Sequence, residues 1–249
     1  MNNPNYHNWN QMQTDTTSTE VGAVASKAFM TQVFGWMSGA LIITALASYL
    51  FGMVPELTAL LYKTFEGRLA GFTTLGWIVM FSPIAFVLLI SFGFNRLSFP
   101  VLVMAFLAYS AVTGMSLSTI FFRYETGSIA STFLVAAGMF GTMAVMGFIT
   151  KADLSGFGRI LMMGFVGIFI ASIVNWFMQS EMMHYIISFV GVAVFTGLTA
   201  YDVQKLKQIG AQQTDSASAA KLSIMGALTL YLDFILLFQF LLRLLGSRK

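Results

Sequence analysis

Cysteine is absent from the chain, which excludes disulfides and thiolate-held metals and leaves the redox compartment undetermined. Histidine is nearly absent: His7 lies in a polar stretch and His184 stands far from it. That scarcity leaves no material for a histidine-based catalytic triad or a histidine metal cluster. Charge is the third shortage. Asp, Glu, Lys and Arg make up 9% of the residues, against about 25% in soluble domains. The net charge of +3 carries no nucleic-acid signature, because the basic residues are scattered at the ends of apolar runs rather than gathered into a patch.

What remains is apolar: 57% of the residues are hydrophobic and the mean hydropathy is +0.78. A helix of about 20 apolar residues crosses the hydrocarbon core of a bilayer. Seven runs meet that length, at residues 29–53, 73–94, 99–121, 129–150, 160–178, 183–203 and 222–245. The reading is an all-α, polytopic membrane protein, with one seven-helix transmembrane domain over residues 27–249. Residues 1–26 are rich in Asn, Gln, Thr and Ser and are expected to be a disordered tail. They lack a basic stretch followed by an apolar one, so they are no signal peptide.

Seven crossings place the termini on opposite sides. With the N-terminus inside, Lys27, Arg96, Lys151, Arg159, Lys205, Lys207 and Lys221 gather on the inner side. Lys63, Arg68 and Arg123 fall in the outer loops, and Arg243, Arg248 and Lys249 at the C-terminal end. The positive-inside rule then favours N-in, C-out. Glycines recur at close spacing, as Gly35 with Gly39, Gly138 with Gly141, Gly164 with Gly167, and Gly191 with Gly197. They are expected to let helices pack tightly. Pro83, inside the second run, is expected to kink it. No internal repeat is evident, so an inverted-repeat transporter is not supported.

Two acids break this apolar pattern. Asp233 sits inside the seventh run, in Leu230-Tyr-Leu-Asp-Phe, and Asp202 closes the sixth, in Thr199-Ala-Tyr-Asp-Val-Gln. A carboxylate at mid-bilayer costs at least about 2.5 kcal/mol, and its default meaning is functional. A short polar loop makes the sixth and seventh helices antiparallel neighbours. If the two carboxyls meet, like-charge repulsion makes them share a proton, and full ionisation leaves two charges seeking a cation. Carboxylate oxygens suit calcium, so Asp202 and Asp233 form a weak, transient calcium site at most. A ruler opposes the pairing. Asp202 stands at the inner end of its run, whereas Asp233 lies about 17 Å into the next helix at 1.5 Å per residue. For the two to touch, the first turns of the seventh helix must extend beyond the hydrocarbon or border a water-filled inner vestibule; otherwise the acids are separately solvated or hydrogen-bonded.

Thr199-Ala-Tyr-Asp-Val-Gln and Ala227-Leu-Thr-Leu-Tyr-Leu-Asp-Phe resemble the C-terminal signature of the Bax-inhibitor family of membrane proteins. Val112-Thr-Gly-Met-Ser-Leu-Ser, Lys151-Ala-Asp-Leu-Ser and Ile173-Val-Asn-Trp-Phe agree with it. The resemblance covers about residues 27–245. It implies a last helix at the centre, with the other six around it in two layers of three. It also implies a pH-sensitive calcium leak of the bacterial type in the inner membrane, with Asp202 and Asp233 as sensor and ion pathway. Arg96 corresponds to an arginine that latches the helix-six aspartate in a closed state; a guanidinium can bind a carboxylate bidentately. Asn175, Tyr201 and Tyr231 are candidate polar pore-lining residues, and helix packing competes as the role of Asn175. No resident cofactor is expected. The implied partners are the lipid bilayer, calcium or protons, and a membrane protease or another membrane protein. The chain departs from the family in a longer loop between its last two helices and in having no acid on the fourth.

Other classes compete. A non-conducting membrane regulator of stress response or protein quality control stays open. An intramembrane aspartyl protease also uses two aspartates that share a proton. Its Gly-x-Gly-Asp motif is missing, because Leu230-Tyr-Leu precedes Asp233, and no proline follows Pro100. A retinal pigment would need a lysine inside the seventh helix, where this chain has Asp233.

Overall fold

The computed structural model describes residues 22–65, 69–213 and 215–249 with their side chains. The expected tail lies outside the described residues as far as residue 21. Among the described residues, seven helices are long and apolar enough to cross a membrane. In chain order the elements are α1 (Asn5–Met53), α2 (Pro55–Leu61), β1 (Tyr62–Phe65), β2 (Arg68–Phe72), α3 (Thr74–Gly93), α4 (Phe99–Leu117), α5 (Ile120–Arg123), α6 (Thr126–Ile149), α7 (Ser155–Met178), α8 (Glu181–Gln212) and α9 (Ser216–Leu245). The crossings are α1 from Gly22, α3, α4 continued by α5, α6, α7, α8 and α9.

Burial ranks the crossings. α9 is the most buried and α3 the least. α9 packs on α8, α1, α6 and α4, whereas α3 attaches principally to α4 and α7 to α8. Of the six helices expected around α9, these four pack on it substantially and α3 and α7 do not. Lipid solvates Leu, Ile and Phe as readily as a protein core does, so α3 and α7 present residues such as Ile78, Ile84, Met163 and Phe177 outward.

The helices start where side chains cap their free N–H groups. The Thr73 hydroxyl accepts from Gly76 N at 3.0 Å, and the Ser180 hydroxyl from Met183 N at 3.3 Å. Asp215 caps α9, accepting from Ser218 N at 2.9 Å and Ala217 N at 3.3 Å. The Ser218 side chain and then these backbone N–H groups hold the Asp215 carboxyl below the ordinary carboxylate range. A folded-state value below the unfolded one gives stability that is full above the unfolded pKa and fades as pH falls through the folded one. Asp215→Ala is therefore expected to lower the melting temperature at neutral pH. The gap from wild type should narrow below about pH 4. A gap that stays constant into acid would show that the charge plays no part in the cap.

Pro83 withholds the N–H that Val79 O would otherwise accept one turn earlier. Two hydroxyls satisfy that carbonyl instead, Ser82 Oγ at 2.9 Å and Ser116 Oγ from α4 at 2.7 Å. The proline break is thereby converted into a tie between α3 and α4.

Three features differ from the sequence reading. The loop after α1 holds the short helix α2 and an antiparallel hairpin of β1 and β2. Tyr62 anchors the hairpin: its ring meets Phe72 and Phe122 edge-on, and its hydroxyl lies 2.7 Å from Ser118 Oγ and donates to Met115 O at 3.0 Å. The helical domain also begins before residue 27. Ser26 is buried and donates to Lys207 O at 2.9 Å, which joins α1 to α8. The paired glycines mostly do not mediate close packing. A Cβ at Gly35, Gly39, Gly138, Gly141 or Gly167 would meet nothing within 4 Å, whereas one at Gly147 would lie 2.9 Å from Ala200 Cα on α8.

Candidate functional site

α8 does not end at Asp202. It continues to Gln212, about 15 Å further at 1.5 Å per residue. The ruler that opposed the pairing assumed that the helix stops where the apolar run stops. Beyond Asp202 the helix stays packed through Val203, Gln204, Leu206 and Gly210, all buried. Leu206 meets Gly226 of α9, and Gly210 meets Phe29 of α1. The correct register is read from these contacts.

In that register Asp202 and Asp233 come together. The two carboxyls are neighbours, each close enough to act on the charge of the other. Side chains on a helix tilt toward its N-terminus. On two antiparallel helices, acids whose Cα atoms are offset along the bundle therefore lean toward one another. Asp233 is 5% exposed, and its Oδ2 has no hydrogen-bond partner among the described residues. Asp202 is half-buried. A buried carboxylate oxygen without a partner is costly, and a proton or a cation on the pair would relieve that cost.

A cleft of about 130 Å³ leads to the pair from the end where α8 meets α9. Lys205 and Leu206 of α8 line it with Met225, Gly226 and Thr229 of α9, and it ends at Asp202. It stops short of Asp233, so the expected vestibule reaches one acid and leaves the other behind it. Toward the opposite end of α9, Leu237, Phe238, Leu241 and Leu242 are buried, and the path beyond the pair is shut by apolar side chains.

Lys205 lines the cleft together with Asp202, and no ion pair joins the two among the described residues. Arg96 lies exposed in the turn after α3, and no ion pair joins it to Asp202 among the described residues. Tyr201 points away from the pair: its ring lies over Gly158 of α7, with Lys205 Nζ 5.9 Å from the ring centre. Tyr231 is fully buried on the other side of α9. Its hydroxyl is 2.6 Å from Thr44 Oγ1 of α1, and Phe106 and Tyr109 of α4 meet its ring edge-on. Asn175 is buried at the end of α7, where Oδ1 accepts from Ser180 N at 3.0 Å. It closes the left-handed turn at Gln179, whose φ is 51°, and serves that turn rather than an interhelical bond.

Thr44 and Gln204 escaped the sequence reading, and Lys205 entered it only as one of the inner-side cations. Gln204 Nε2 donates to Ala152 O at 2.7 Å, and its Oε1 accepts from Leu154 N at 2.9 Å. It thus ties Thr199-Ala-Tyr-Asp-Val-Gln to Lys151-Ala-Asp-Leu-Ser, two segments singled out separately in the sequence. Lys207 Nζ adds a second tie, donating to Phe148 O at 2.7 Å. Together they hold the turn of α8 that carries Asp202 against the end of α6. A glutamine and a lysine just past an apolar run look like ordinary solvated residues, and only their partners reveal the clamp.

Residues 26–249 match the family model described as inhibitor of apoptosis-promoting Bax1. The chain is similar to the inner membrane protein YbhL of Escherichia coli (strain K12), 45% identical over 225 residues that cover 90% of this chain and 93% of that protein. It is also similar to a protein of Rickettsia prowazekii, 36% identical over 236 residues, 95% of this chain and 96% of that protein. A protein of Borreliella burgdorferi is 38% identical over 236 residues, 94% of this chain and 98% of its own length.

Proposed function

The chain belongs to the family of inhibitors of apoptosis-promoting Bax1, and from that premise we propose that it is a pH-sensitive calcium leak gated by Asp202 and Asp233. The observation that carries the proposal is the meeting of two acids inside an apolar bundle, one of them with an unpartnered oxygen. Sharing one proton, the pair needs no cation. Losing that proton leaves two adjacent charges in a low dielectric, where a divalent ion compensates them better than water does. Calcium accepts this oxygen-only environment, and loose, incomplete coordination suits an ion that must leave again. The cleft provides access from the side of Lys205, and the Lys205 ammonium is the competing cation at its end.

The buried side chains above Asp233 correspond to a closed state. Opening requires α9 to shift against α8, and the proton on the pair is the natural control. In this reading the protein sits in the inner membrane, as the name of the Escherichia coli relative says of that protein, with its N-terminus on the cytoplasmic side. Paired aspartates also serve proteolysis, but a cleft of about 130 Å³ that ends before Asp233 admits no polypeptide. The leak is the better fit.

The test is calcium flux into dye-loaded liposomes that contain the purified protein, measured at a series of pH values on both sides of neutrality. Flux above that of empty liposomes and dependent on pH is the expected result. A folded protein whose flux equals that of empty liposomes would overturn the leak and favour a non-conducting regulator.

A further inference from the structure

A second cavity, unrelated to the aspartates, lies near the end of the bundle that carries the C-terminal residues. It measures about 470 Å³, within the roughly 300–1,000 Å³ of small-molecule sites. α1 and α6 both pack on α8 and α9 but have no substantial contact with each other. The gap between them is walled by Leu41, Ala45, Ile129, Phe133, Leu134 and Phe238. It opens sideways, where lipid is the solvent: Tyr49 and Leu134 at its edges are 52% and 70% exposed.

Two further observations define the occupant. Ser48 lines the cavity, is 6% exposed, and its hydroxyl has no partner among the described residues. It lies about 8 Å below the end of α1 at 1.5 Å per residue, and it requires an acceptor from whatever fills the gap. Cations also border the mouth. Phe121 is a wall of the cavity, and its carbonyl accepts from Lys249 Nζ at 2.8 Å. Lys249 N donates to Arg123 O at 3.0 Å, and Arg248 pairs with Tyr124 across an isolated bridge. Arg123, Arg248 and Lys249 thus gather at one place, and Glu125 is the one acid in residues 120–126 and 246–249.

We propose that the groove between α1 and α6 holds one acyl chain of an anionic phospholipid, with the lipid phosphate held by Arg123, Arg248 and Lys249. The chain fills the apolar walls, and the Ser48 hydroxyl donates to the ester carbonyl at the head of the acyl chain. The groove also touches the centre of the bundle. Thr44, another of its walls, is the residue whose hydroxyl bonds Tyr231 of α9, so occupancy is communicated to α9 through one hydrogen bond.

The experiment is native mass spectrometry of the detergent-purified full chain, supplied with dioleoyl phosphatidylglycerol or dioleoyl phosphatidylcholine, with melting temperatures measured in parallel. One phosphatidylglycerol retained per chain, with a higher melting temperature than in phosphatidylcholine, is the expected result. Arg123→Gln and Arg248→Gln, both at exposed positions, should each reduce the preference for phosphatidylglycerol about fivefold, the effect of one cation near an anionic headgroup. Ala130→Trp, which fills the groove from its exposed side, should abolish retention while the protein stays monodisperse. Equal retention of the two lipids would overturn the proposal, and so would phosphatidylglycerol retention that survives Ala130→Trp.

Discussion

Asp233→Asn is expected to yield a folded protein whose calcium flux no longer changes with pH. The amide has nearly the shape of the carboxyl and can donate to Asp202, so the α8–α9 contact survives. What disappears is the second ionisable group. In wild type, titration of a single shared proton changes the population of the doubly charged pair about tenfold per pH unit on its steep limb. The variant can never carry two charges there, so calcium affinity should stay at its low-pH level while that of wild type rises with pH. Asp202→Asn should do the same, because the property belongs to the pair. Stability provides a second readout. At alkaline pH the wild type carries a cost of two adjacent charges that either variant avoids, so the melting temperature of the variant should gain on that of wild type as pH rises. Flux through Asp233→Asn with an unchanged pH profile would place the sensor elsewhere.

Gly147→Leu is expected to abolish the folded protein. A Cβ at Gly147 lies 2.9 Å from Ala200 Cα and as near to the Ala200 carbonyl carbon. A backbone cannot move aside as a side-chain tip can. Overpacking ordinarily costs about 1–3 kcal/mol where neighbouring side chains yield. Here α6 and α8 must separate, and the clamp made by Gln204 and Lys207 lies just beyond the contact. Gly35→Leu and Gly138→Leu are the controls: each Cβ enters open space, and each change should stay within about 0.5 kcal/mol. Yield of monodisperse protein and melting temperature in detergent check all three. Loss at Gly35 or Gly138 with tolerance at Gly147 would mean that the spaced glycines carry the packing after all.

That contrast shows where the sequence was silent. Glycine spacing marks positions where helices are able to approach, but the facing helix decides whether they do. Gly35 looks out at lipid, while Gly147, which was not among the glycines singled out in the sequence, carries the close contact. The hairpin at Tyr62 was hidden for a related reason. Two strands of four and five residues between two hydrophobic runs look like loop until Met115, Ser118 and Phe122 supply the surface that holds them.

The sequence alone determined the seven crossings, the family and the identity of the two costly acids. Each is written locally: an apolar run either spans a bilayer or does not, and an aspartate inside one is conspicuous without knowledge of its neighbours. Only the tertiary structure decided that the acids meet. Their meeting depends on how far α8 continues as helix past its apolar run, and α1, α6 and α9 set that length by burying Val203, Leu206 and Gly210. It also decided that Lys205 shares a cleft with Asp202 while Arg96 lies exposed in the turn after α3. Hydropathy records which segments leave water; register, and with it which charges become neighbours, comes from packing between residues far apart in the chain.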